Sequence, residues 1–149
     1  MRSKKNFNYR KILSSFLQQD GSAFFNAKGA ALGVFCGCFP FFGFQTLLGL
    51  FLAKIFKGNL FLAAIGTWIS NPFTYLPLYF FNYKVGAKLL RDYSDINFDK
   101  NLLINDLWKQ GSIFSLRLFL GSSLVGLFLA LISGGIVFLL YKRKRKRKI

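Results

Sequence analysis

Three stretches of this chain, Gly29–Ala53, Leu60–Tyr83 and Leu118–Tyr141, run for 24 or 25 residues without a charged side chain. Roughly 20 apolar residues in helical form cross a hydrocarbon core of ~30 Å. Unpaired backbone is so costly in lipid that a helix is the form such a run must take. The expected fold is therefore an all-α integral membrane protein, a small helical bundle in one domain. Composition agrees: 53% hydrophobic and 19% aromatic lie above the usual soluble mix.

Two of the three runs are broken. In the first, Pro40 removes a backbone donor and crowds the preceding turn, so the chain should kink or unwind from Phe39 to Gly43. In the second, Asn71-Pro72 sets a turn and Pro77 follows. The backbone breaks are expected at Pro40, Gly43, Pro72 and Pro77. Unwound backbone at membrane depth survives only where protein buries it or a wet cavity meets it. Gln45 and Thr46 either satisfy that backbone or contact a substrate. Asn71 and Thr74 either cap the half-helix that follows or join Gln45 and Thr46 around a crevice. Paired broken segments are the pattern that marks a midplane binding site in transporters. Leu118–Tyr141 lacks proline and reads as a regular C-terminal transmembrane helix.

Gly29, Gly33 and Gly37 recur every four residues and put a small-residue stripe on one helix face, where another backbone can approach. Trp68, Tyr75, Tyr79 and Tyr83 suit interfacial depth or aromatic packing. Cys36 and Cys38 are read as small buried hydrophobes, and on a helix they diverge too far to share a metal ion.

The formal net charge is +16, from 21 Lys and Arg against 5 acids, all of them Asp. Much of the excess flanks the apolar runs. Residues 1–28 read as a basic amphipathic segment on the membrane surface, with Tyr9, Ile12, Leu13, Phe16 and Leu17 at helical spacing. A signal peptide fits less well, because Ser14 and Ser15 interrupt its short apolar run. Residues 142–149 form a basic tail. Bases beside spans mark the cytoplasmic side, so both termini are placed there, in a multi-pass protein of the cell (inner) membrane. Three single crossings would separate the termini. One broken segment is therefore expected to be re-entrant, and charge favours the first, with legs of about ten residues reaching about 15 Å. Lys84, Lys88 and Arg91 then lie outside, against the trend.

The membrane domain spans 29–141, with apolar segments 29–53, 60–83 and 118–141 and a polar connection at 84–117. In that connection Asp99 is expected to cap a short helix that presents Leu103, Leu107 and Trp108 and ends near Gly111. Asp92, Asp95, Asp99 and Asp106 have no His partner and no clustered pattern, so no metal site is read.

Gly29-x-Ala31-x-Gly33-x-Phe35, Pro40-xx-Gly43-x-Gln45-Thr46, Gly58-Asn59, Gly66-Thr67-Trp68 and Asn71-Pro72-x-Thr74-xx-Pro77 resemble the bacterial membrane-protein family known as domain of unknown function 2062. The likeness covers about Gly29 to Gly86. Upstream it departs: Asn26-Ala27-Lys28 stands where the family is associated with a proline. The resemblance implies a prokaryotic membrane domain of no assigned activity, similar in some relatives to the membrane part of chains that carry glycosyltransferase modules.

Function is the least constrained level. The chain has no His and no Glu, so general acid–base work has few candidates, and a non-enzymatic role without cofactor or metal is expected. One reading is a membrane module whose broken segments form a polar crevice for a lipid or small solute. The other is a scaffold or accessory subunit that binds a partner membrane protein, such as a glycosyltransferase, or anionic lipid through its polybasic tail. Nucleic-acid binding is disfavoured, because the tail lacks interleaved aromatics.

Overall fold

The structure is a computed structural model that describes residues 21–41, 43–91 and 104–146. Among the described residues every element is helical: α1 (Ala23–Gly37), α2 (Phe44–Ile55), α3 (Leu60–Gly66), a 3-10 turn (Thr67–Ile69), α4 (Tyr75–Leu89) and α5 (Ile104–Lys146). The surface helix expected before residue 21, Asp92, Asp95, Asp99, and Arg147 to Ile149 lie outside the described residues.

α1 starts where Ser22 Oγ accepts the Phe25 amide at 3.1 Å, satisfying one of the donors that a helix start leaves orphaned. It stops at Gly37, short of Pro40. The chain then turns through Gly43, whose φ of +83° suits a residue without a β-carbon. The amides of Phe44 and Gln45 both close on the Phe41 carbonyl.

α2 returns alongside α1. A β-carbon at Gly49 would sit 3.6 Å from the Gly33 Cα, and one at Gly58 would sit 2.9 Å from the Gly29 amide nitrogen. α1 and α2 are thus a helical hairpin with legs of 15 and 12 residues, about 22 and 18 Å long at 1.5 Å per residue. These legs exceed the expected ten residues, because α1 starts at Ala23, ahead of the uncharged run, and takes in Lys28.

The return ends at Lys57, where φ is +52°, and Lys28 Nζ donates to the Phe56 carbonyl at 2.6 Å. Asn59 then opens α3, its Oδ1 accepting the amides of Phe61 and Leu62. α3 runs parallel to α1. Gly29 lies against the Asn59 backbone, Gly33 against Ala63 and Gly37 against Thr67, both helices advancing four residues per contact.

α5 is the spine. Gly126 meets Cys38 and Phe35 while Gly134 meets Ala31, so α1 lies antiparallel along its C-terminal half. Gly86 lies against the Arg117 carbonyl and Gly121 against the Asn82 carbonyl, so α4 is antiparallel to its N-terminal part. Ala30, Leu62, Val137 and Tyr141 form an apolar cluster with Ala23 against it. The start of α1, the α2–α3 connection and the end of α5 therefore gather at one end of the bundle.

One expectation is corrected here. No helix ends at Gly111, because α5 runs through it from Ile104 to Lys146. A glycine inside an exposed helix costs only about 1 kcal/mol, too little to stop a helix anchored along its length by α1 and α4. Pro77 is a second difference: it falls in the first turn of α4, where the missing amide would have had no helical partner. The second break is the Ser70–Thr74 turn alone.

Outside that apolar cluster the interior is mostly small or polar, while many large apolar side chains face outward. Ala27, Cys36, Cys38, Ala53, Ala63, Asn26, Thr67, Asn82 and Ser122 are buried, whereas Phe44, Phe51, Trp68, Phe73, Leu76, Phe128 and Leu131 are exposed. Within α5, Gly111–Lys144 is long and apolar enough to cross a membrane.

Candidate functional site

Because α3 and α1 advance in parallel, the two chain breaks fall at the same end of the bundle, opposite the α2–α3 connection. They share a crevice of about 220 Å³ lined by Gln45, Thr46, Thr67, Trp68, Ser70, Asn71 and Pro72. An adjoining cleft of about 300 Å³ is lined by Gly43, Gln45, Ser70, Pro72, Tyr75 and Tyr79. Gln45, Ser70 and Pro72 belong to both. No charged side chain lines either.

The polar groups here differ in how far they are committed. Asn71 Oδ1 accepts the amides of Phe73 and Thr74 at 2.9 and 3.1 Å, and Asn71 Nδ2 points at the Trp68 carbonyl. Thr74 Oγ1 accepts the Asn71 amide and donates to the Ile69 carbonyl at 2.6 Å. These two side chains hold the turn, and Thr74 lines neither cavity.

Thr46 Oγ1 lies 3.0 Å from Thr67 Oγ1, and Thr67 Oγ1 donates to the Ala64 carbonyl. This pair ties the first break to the second. Gln45 is different, since its Oε1 is buried without a hydrogen-bond partner. A buried acceptor left unmatched carries the full desolvation penalty, so a donor offered by an occupant would be favourable there.

Of the four candidate crevice residues, the structure brings Gln45, Thr46 and Asn71 together and turns Thr74 to the backbone. Thr67, Ser70, Tyr75 and Tyr79 were not singled out as site residues. The four-residue spacing of Tyr75 and Tyr79 on one helix face was the available signal. Tyr79 also donates from its hydroxyl to the Phe39 carbonyl at 3.1 Å, supplying a partner to the unwound backbone before Pro40.

Further polar groups cross the helix interfaces. Asn59 Nδ2 donates to Asn26 Oδ1 at 2.7 Å. Asn82 Nδ2 donates to the Cys38 carbonyl at 2.9 Å and contacts Ser122 Oγ at 3.0 Å. Arg117, buried at the α4–α5 crossing, donates from Nη1 to the Tyr83 hydroxyl, with its guanidinium 5.5 Å from the Tyr83 ring centre. Among these contacts neutral side chains serve the backbone at the breaks, Tyr79 at the Phe39 carbonyl and Asn82 at the Cys38 carbonyl, whereas Arg117 joins α4 to α5 away from the helix ends.

Comparison with known families gives the chain its place. The family model described as "Uncharacterized protein conserved in bacteria (DUF2062)" matches residues 8–149. The chain belongs to the DUF2062 family. The match extends well beyond Gly29–Gly86 on both sides, so Asn26-Ala27-Lys28 falls inside the DUF2062 domain and α5 is part of it. No curated protein and no solved structure matches the chain. Within the DUF2062 domain, Gly29, Gly33, Gly58 and Asn59 make the α1–α3 contact, while Gln45, Thr67 and Asn71 line the crevice.

Proposed function

We propose that this DUF2062 protein is a non-enzymatic module of the cell membrane whose two chain breaks form a crevice for a neutral polar group, either of a lipid headgroup or of a small solute. One observation carries the reading: breaks from two separate apolar segments meet in one uncharged polar cavity. It is set in a bundle whose exposed side chains are large and apolar. Broken segments that meet at a site are how membrane proteins present backbone and side-chain hydrogen bonds to a ligand. Trp68, Tyr75 and Tyr79 supply aromatic walls, and Gln45 supplies the unspent acceptor.

In this reading the α1–α2 hairpin is the re-entrant segment, the second segment crosses once through its break, and α5 returns. Support comes from charge: Lys28, Lys54, Lys57, Lys142, Arg143 and Lys144 lie at the end of the bundle where both termini of the membrane domain gather, as a cytoplasmic face requires.

The native thiols do not test the crevice. Cys36 is buried against α2 and Cys38 against α5, so their protection reports helix packing. The test is Ser70→Cys in a Cys36→Ala, Cys38→Ala background, probed with a membrane-impermeant maleimide in intact and in denatured membranes. Rapid labelling in intact membranes is expected, slowed by Gln45→Trp, which would fill the cavity. Labelling only after denaturation sinks the crevice.

A scaffold role is the second reading, favoured by the same cluster of cations. It predicts that deleting Lys142–Lys148 abolishes association with an anionic leaflet or a partner such as a glycosyltransferase while orientation survives.

A further inference from the structure

A separate groove lies between α1 and the C-terminal half of α5, with a volume of about 350 Å³. Its lining includes Phe24, Lys28 and Ala31 on α1 and Gly134, Gly135 and Phe138 on α5. Phe24 and Phe138 each carry a cation: Lys28 Nζ lies 5.2 Å from the Phe24 ring centre and Lys142 Nζ 5.7 Å from that of Phe138. Apart from Lys28 every lining side chain is apolar. The groove is therefore a greasy slot with an ammonium on each of the two helices that wall it, at the basic end of the bundle.

Its floor is cut deeper than packing among the described residues needs. A β-carbon at Gly134 would touch Ala31 at 3.2 Å, but one at Gly135 would meet nothing within 4 Å. Glycine inside a helix is unfavourable relative to alanine, and among the described residues no neighbour accounts for it at Gly135.

We infer that this groove is an anionic-phospholipid site, in which an acyl chain lies over Gly135 between Phe24 and Phe138 while the phosphate is held by Lys28 and Lys142. The inference rests on the membrane placement proposed above and not on the crevice. Charge complementarity selects the occupant. A symmetric second copy of the chain would bring the same cationic rims together, a like-charge contact that disfavours pairing. Basic groups at the membrane surface attract anionic headgroups, and cations resting on aromatic rings are held in place for them.

The full chain is reconstituted in phosphatidylcholine vesicles containing phosphatidylglycerol, released in mild detergent, and its retained phosphatidylglycerol is counted by native mass spectrometry. Alkaline carbonate extraction is done first, and release of the chain by carbonate removes the membrane placement and this site with it. Gly135→Leu keeps every charge, and its β-carbon meets nothing within 4 Å among the described residues, so it should fold. It is expected to lower phosphatidylglycerol retention at least tenfold by filling the slot. Lys28→Gln with Lys142→Gln should lower it by about fivefold per lysine and abolish the preference over phosphatidylcholine. Wild-type retention in Gly135→Leu overturns the site, because the basic end alone would then explain binding. A change of Gly135→Leu from dimer to monomer with unaltered lipid count overturns it in favour of a second copy.

Discussion

Substituting Gly33 by alanine should break the bundle at the close backbone contact between α1 and α3. A β-carbon at Gly33 would lie 2.8 Å from the Ala63 Cα and carbonyl carbon, where ordinary contact begins at 3.4 Å, and closer still to the Ala63 carbonyl oxygen, so the helices must part by at least about 0.6 Å. The obstacle is backbone, and no rotamer can turn it aside. A gap of about 0.5–1 Å forfeits a quarter to a half of the attraction between facing atoms, and forced overpacking costs about 1–3 kcal/mol. Gly111→Ala is the control, since among the described residues its β-carbon would meet nothing within 4 Å. Alanine's better helix propensity contributes about 1 kcal/mol at both sites, so it cancels in the comparison. Gly33→Ala is therefore expected to be about 2 kcal/mol less stable than Gly111→Ala. Unfolding in mixed detergent micelles, followed by circular dichroism, measures the difference. Equal stability of the two variants to within about 0.5 kcal/mol would refute the reasoning, because close backbone approach would then not be what joins α1 to α3.

Asn82→Ala strands the buried Cys38 carbonyl and Ser122 hydroxyl that the amide serves and should cost about 1–3 kcal/mol in the same unfolding assay, more than Ser122→Ala. Asn59→Ala removes the cap of α3 together with the bond to Asn26, and a loss of about 1–2 kcal/mol is expected. Pro77→Ala should leave stability within about 0.5 kcal/mol of the parent, because first-turn proline withholds no helical hydrogen bond. A large loss there would mean that Pro77 and not Asn71 sets the second break.

What the sequence made legible was whatever depends on local rules. The helical class followed from three uncharged runs. The breaks at Pro40 and Pro72 followed from the missing amide and its steric consequence. The length of α5 was not legible, because Gly111 is a weak stop whose effect is overridden by the contacts of Gly121, Gly126 and Gly134 further along the same helix. The grouping of Gln45 with Thr67 was hidden for a related reason. It depends on α3 running parallel to α1, which is set by the facing pairs Gly29–Asn59, Gly33–Ala63 and Gly37–Thr67, and pairing across 30 residues leaves no local trace. Thr74 looked like Gln45 in composition alone, yet its hydroxyl lies within reach of the Ile69 carbonyl, and a proximate backbone acceptor claims a threonine before any ligand can.

The residues that hold this bundle together are consequently the ones a hydropathy argument ranks lowest. Under the membrane placement proposed above, the apolar effect would not distinguish a leucine facing a helix from a leucine facing an acyl chain, so association would come from close packing and from hydrogen bonds. Small interior residues let the helix backbones touch, and touching backbones leave no room for water to satisfy a broken end. Each break must then be served by a side chain placed for it: Tyr79 at the Phe39 carbonyl, Asn82 at the Cys38 carbonyl, Asn71 at the amides of Phe73 and Thr74. Gln45 Oε1, like Asn82 Oδ1, is buried without a hydrogen-bond partner; of the two only Gln45 lines the cavity at the breaks, and in the reading proposed above it is the acceptor left for an occupant.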